Sequence, residues 1–80
     1  MTREDVYKRL NAVFQDVFDD DSITVNDNTV ADDVDGWDSF EHINLIVAIE
    51  KEFSFKIPMG KVVTMKNVGE MVDLILEMGK

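Results

Sequence analysis

The sequence contains no cysteine and only one histidine. Disulfide frameworks, cysteine-ligated zinc or iron–sulfur centres and thiol catalysis are therefore excluded. Helix breakers are scarce, with one proline and four glycines in 80 residues. Basic residues are scarce as well: eight Lys and Arg face 17 Asp and Glu, a formal net charge of -9. A surface of that sign repels nucleic-acid backbones and anionic lipid headgroups, so neither is an expected partner. The longest apolar run in the middle of the chain is Leu45 to Ile49, far short of the ~20 residues of a membrane span. The first residues lack the basic and apolar regions of a signal peptide. The expectation is a soluble, cytoplasmic protein with no membrane insertion.

What is present is enough for one core. A 45% hydrophobic chain of this length buries about 60% of its unfolded surface, which supports a single domain over residues 1–80 and not two. The acids are clustered: Asp16, Asp19, Asp20, Asp21, Asp27, Asp32, Asp33, Asp35, Asp38 and Glu41 occur with no Lys or Arg among them, whereas the rest of the chain has seven acids and eight bases. Such asymmetry steers a basic partner to one face; the plainer reading is a solvated acidic loop.

Val6, Leu10, Val13, Phe14 and Val17 recur at helical spacing, and Thr2 with Asp5 forms a capping pair, predicting a first helix over about residues 3–17. From Phe18 to Trp37 no period is sustained, which predicts a long loop pinned by Ile23, Val25, Val30 and Val34. Asp38 at the N-cap, with Glu41 reaching back to the open amides, predicts a second helix to about Phe53. Its apolar positions Phe40, Ile43, Leu45, Ile46, Val47, Ile49 and Phe53 predict a largely buried helix, exposed only along Glu41, Asn44, Ala48, Lys51 and Glu52. Ile57 and Pro58 end an extended connector, and Lys61 to Met65 allows a short helical turn. Asn67 with Glu70 starts the last helix, which turns Val68, Met71, Val72, Ile75 and Met78 inward and stops at Gly79. The fold class is all-α: a small four-helix bundle, three longer helices plus one short, with a long loop between the first and second. Leu10, Ile49 and Phe53 are expected to share its core.

The residues themselves raise three chemistries. A triad would need Ser39, His42 and an Asp, but nothing around Gly36 to Phe40 supplies a second glycine or an oxyanion hole. An EF-hand register set by Gly36 places Ala31 where Asp is required and His42 where the bidentate Glu belongs, leaving only weak divalent binding by the acidic cluster. Ser39, in the first turn after a capping Asp, would hold an anion on its hydroxyl at the positive end of a helix, favoured by about 0.3–1 kcal/mol. The plain alternative is a serine that merely suits the first helical position.

The segment from Asp35 to Pro58 resembles the acyl carrier protein family. The family's attachment motif is Gly, any residue, Asp, Ser and a large apolar residue, here Gly36, Trp37, Asp38, Ser39 and Phe40. The likeness continues through Ile43, Leu45, Val47, Ala48, Ile49, Glu50, Glu52, Phe53, Ile57 and Pro58, and more weakly through Val68, Val72 and Ile75. The resemblance implies a carrier with 4'-phosphopantetheine joined to Ser39 by a phosphodiester, Asp38 serving as motif residue and helix cap. A phosphopantetheinyl transferase (holo-carrier synthase) would donate it from coenzyme A. Such a carrier is monomeric, needs no metal and catalyses nothing. Its thiol-ended arm carries an acyl group as a thioester to acyl-ligase, ketosynthase or acyltransferase partners, raising the effective concentration at each.

The resemblance further implies a partner-facing second helix, at Glu41, His42, Asn44, Lys51 and Glu52, and an acyl shelter between helices, where Met59, Met65, Met71 and Met78 either yield to the guest or simply fill the core. Carriers of general fatty acid synthesis usually have acids where this chain has Asn44, Lys51 and Lys56, and a small residue in place of Trp37. A specialised discrete carrier is therefore expected, working in fatty acid, polyketide, modified-lipid or surface-glycan synthesis. An aminoacyl or peptidyl carrier and an unmodified acidic helical adaptor stand as alternatives.

Overall fold

Thr2 Oγ1 accepts a hydrogen bond from the Asp5 N–H, and the Asp5 carboxylate accepts one from the Thr2 N–H, both at 3.1 Å. That reciprocal pair satisfies two of the amides a helix start leaves open. The structure, a computed structural model, describes residues 1–62 and 65–78. Helix α1 runs over Arg3–Val17, followed by a 3-10 turn at Ala31–Asp33, then α2 (Ser39–Phe53), α3 (Met59–Val62) and α4 (Val68–Met78). The described residues contain no strand, and the expected pattern of three longer helices and one short one holds.

Helix α1 packs against both α2 and α4. Val6, Leu10 and Phe14 meet Leu45 and Ile49 of α2 and Val68, Met71, Val72 and Ile75 of α4 in one buried cluster. Leu74, not singled out by the sequence pattern, joins it, whereas Met78 is exposed and Phe53 is only half-buried. Gly79, the expected stop, lies outside the described residues. The short helix also falls earlier than predicted, starting directly after Pro58 at Met59 and not at Lys61.

The long segment between α1 and α2 is held by polar side chains of α1. Asn11 Oδ1 accepts from the Val25 N–H at 2.7 Å, and Gln15 Nε2 donates to the Ile23 carbonyl at 2.9 Å. Val25 and Val34 are buried as expected, but Val30 is exposed and Thr29 takes the inward place. Thr29 does so because its carbonyl accepts the Val68 N–H at 2.9 Å, while the Asp27 carbonyl accepts the Gly69 N–H at 3.1 Å. The loop thus caps α4, together with Asn67, whose Oδ1 accepts from the Glu70 N–H.

At its far end α2 is fastened to α1 by Arg9. Its Nε donates to Glu52 at 2.7 Å, a second nitrogen donates to the Glu52 carbonyl, and the guanidinium lies 4.7 Å from the Phe53 ring centroid. Ser54, at φ 60°, ends the helix in the left-handed region.

Candidate prosthetic-group attachment site

Gly36 begins the site. Its φ of +86° lies where L side chains are strained, and a Cβ there would meet nothing closer than Phe18 at 3.9 Å. The glycine is required by conformation, not by space. Past this turn, Asp38 Oδ1 accepts from the Glu41 N–H at 2.8 Å, the N-cap predicted from sequence. Glu41 does not mirror it as expected: its carboxylate accepts instead from Asn44 Nδ2 at 3.0 Å.

Ser39 is therefore the first residue of α2, and it is exposed. The first intrahelical bond, from the His42 N–H to the Asp38 carbonyl at 2.8 Å, comes after it, so the amides of Ser39 and Phe40 precede the hydrogen-bonded ladder. Beside Ser39 opens a groove of about 510 Å³, whose walls include Trp37, His42, Ile43, Met65 and Met71. Met65 and Met71 are thus two of the four methionines expected to shelter a guest; Met78 is on the surface.

Trp37 is fixed by rings from two elements. It meets Phe14 edge-on at 5.2 Å between centroids and Phe18 at 6.3 Å, while its Nε1–H donates to His42 Nδ1 at 3.1 Å. An indole nitrogen can only donate, so Nδ1 of His42 is the accepting nitrogen. His42 is half-buried against this wall and not freely presented to solvent. The resemblance implies an outward, partner-facing His42; its bond to Trp37, a residue of the preceding loop, turns it to the groove wall instead.

The other expected partner-facing residues differ among themselves. Lys51 and Asn44 are exposed, Glu41 is half-buried, and the Glu52 carboxylate is engaged by Arg9. The larger departure is apolar: Phe40 is 75% exposed, Ile43 46% and Val47 43%. Helix α2 leans on its neighbours along one side only, so the apolar circumference read as core is divided between core and solvent. Among the described residues no helix is long and apolar enough to cross a membrane.

Comparison with known proteins agrees with this geometry. Residues 8–75 match the family model described as the phosphopantetheine attachment site. The chain is 34% identical over 77 residues to an acyl carrier protein of Lactobacillus acidophilus, covering 94% of each. It also superposes with a TM-score of 0.84 on the solution structure of the holo acyl carrier protein from Geobacter metallireducens, at 42% identity, over 90% of this chain and 83% of that one. A capped serine opening α2, a groove at its side and full-length likeness in sequence and fold lead to one conclusion: the chain belongs to the acyl carrier protein family, whose prosthetic group is a covalently attached phosphopantetheine.

Proposed function

We propose that Ser39 bears the 4'-phosphopantetheine and that the chain acts as a discrete acyl carrier which catalyses nothing itself. One observation carries the choice of residue: of the three serines, only Ser39 stands exposed at the start of a long helix beside a groove. The Ser22 hydroxyl donates to Asp20 at 2.6 Å. Ser54 sits at the C-terminal, partially negative end of α2, where a phosphate is disfavoured. At Ser39 the sign is reversed, and a phosphodiester gains about 0.3–1 kcal/mol from the helix end.

The residues present fit the group. Gly36 turns the chain, Asp38 fixes the first turn, and the wall of Trp37, Ile43, Met65 and Met71 offers an apolar resting place for a flexible arm or its acyl chain. When attached, the group supplies the thiol that holds an acyl unit as a thioester. The chain's own part is to orient and deliver it. Its partners are a phosphopantetheinyl transferase and acyl-ligase, ketosynthase or acyltransferase enzymes, met in the cytoplasm by a monomeric carrier. Trp37, Asn44, Lys51 and Lys56, where general fatty-acid carriers differ, support a specialised pathway.

The test is intact-mass analysis after incubation with coenzyme A, magnesium and a phosphopantetheinyl transferase. One phosphopantetheine increment is expected on the parent and none on folded Ser39→Ala. Equal loading of both, or no loading of the folded parent, would overturn the assignment.

A further inference from the structure

Two chain segments meet at the groove beside Ser39. One supplies Trp37, Ser39 and Ile43; the other, the approach to α4, supplies Met65, Lys66 and Met71. Among the described residues Lys66 is the only lysine or arginine in the groove's walls. It is exposed and, unlike Arg3 and Arg9, forms no ion pair among the described residues.

The backbone that carries Lys66 is fixed. Its N–H donates to the Glu70 carboxylate at 3.0 Å, and the Glu70 N–H donates to Asn67 Oδ1 at 2.8 Å. The N–H groups of Val68 and Gly69 donate to the Thr29 and Asp27 carbonyls. With these amides engaged, the positive charge that this side of the groove offers an anion is the Lys66 ammonium. On the Ser39 side the charge has the other sign. A phosphodiester adds one negative charge, and at Ser39 it follows directly on Asp38. The exposed Asp32 and Asp33 belong to the 3-10 turn whose first residue, Ala31, also lines the groove. Carboxylates on one side and a cation on the other give the phosphate a direction, toward Lys66.

We propose that Lys66 is a positioning residue for the loaded arm: its ammonium pairs with the phosphodiester on Ser39 and so lays the arm along the apolar wall of Trp37, Ile43, Met65 and Met71. The inference rests on Ser39 as the attachment site. An exposed pair of this kind is weak and screened by salt, which suits a hold that must release whenever the arm is delivered. A point charge on a flexible stem can follow the phosphate as the arm moves, from a backbone that stays in place.

The experiment uses the full chain loaded with phosphopantetheine, checked by intact mass. It follows alkylation of the arm's thiol by iodoacetamide, a neutral reagent, at fixed pH, with free phosphopantetheine as the reference. The parent is compared with Lys66→Glu, Lys66→Ala, Lys66→Arg and, as a surface charge change on α1, Lys8→Glu. Thermal melts establish that each is folded. The parent thiol is expected to react at least about threefold more slowly than free phosphopantetheine, and Lys66→Glu and Lys66→Ala to approach the free rate. Lys66→Arg, which keeps a phosphate-binding cation, and Lys8→Glu should stay within about 1.5-fold of the parent. Raising NaCl to about 0.5 M should speed the parent toward the free rate and leave Lys66→Ala unchanged. Proton NMR contacts between the arm's methyl groups and the Trp37 ring should be present in the parent and lost in Lys66→Glu. Equal rates for the parent, Lys66→Glu and Lys66→Ala, or a parent thiol as reactive as free phosphopantetheine, overturn the role of Lys66 and leave Ser39 as the attachment site. A folded parent that no transferase loads, or loading that persists in Ser39→Ala, removes the Ser39 reading and the role of Lys66 with it.

Discussion

Arg3, Tyr7, Asp27 and Asp73 tie three parts of the chain into one knot. Arg3 donates to Asp73 at 2.6 Å and to Asp27 at 2.7 Å, and the Tyr7 hydroxyl donates to Asp27. Hydrogen bonds from Tyr7 and then Arg3 hold the Asp27 carboxyl below the usual carboxylate range. Burial, and then the bond to Asp27, push the Tyr7 phenol up to about 12. The two shifts act on opposite sides of neutrality. Asp27's lowered value gives stability that is present above the ordinary Asp value of about 3.9 and lost as pH falls through the folded value. Tyr7's raised value gives stability that is full below about 10 and lost as pH rises to about 12. Because Tyr7 is the chain's one tyrosine, phenolate absorbance reads it directly. Titration is expected well above the free phenol, and Tyr7→Phe should flatten the alkaline loss of stability relative to the parent. An ordinary phenol titration would contradict the knot.

Helix starts were legible in the sequence because a cap is a local signal. Thr2 with Asp5, Asp38 and Asn67 all cap as their spacing predicts. The burial of α2 was not legible: periodicity records how apolar each face is, not whether a neighbour covers it, so Phe40, Ile43 and Val47 read as core. The loop's anchors were equally hidden, since Asn11 and Gln15 reach across to backbone groups that no pattern identifies. In the candidate site the Asp38–Ser39 turn was readable, whereas the Trp37–His42 bond depends on tertiary packing.

Three substitutions test the packing of elements. Gly69 lies in α4, where alanine would ordinarily gain about 1 kcal/mol of helix propensity. A Cβ there would sit 2.8 Å from the Asp27 carbonyl oxygen and 3.2 Å from its Cα. That backbone must shift, at about 1–3 kcal/mol, so Gly69→Ala should lower the urea midpoint; a higher midpoint would mean the loop yields freely. Ile49→Ala, at a fully buried position, should cost about 2–5 kcal/mol. Half-buried Phe53 should lose less when changed to Ala, contrary to the equal weight its spacing suggests.

On the scale of the whole molecule, a charge of -9 with its acids gathered between Asp16 and Glu41 repels itself in the folded state more than in the extended chain. Added monovalent salt should therefore raise the melting temperature, most steeply below about 0.15 M, where the screening length exceeds about 8 Å. No response would mean that these acids are too dispersed to interact. The same field attracts basic surfaces toward the end of α2 where Ser39 stands.

That serine is best tested by fragment mapping of the loaded chain. After phosphopantetheine transfer and proteolysis, tandem mass spectrometry should place the whole increment on Ser39, with Ser22 and Ser54 unmodified. An increment on either of those serines would contradict the assignment, because it would show that neither the capped start of α2 nor the groove beside it directs the chemistry.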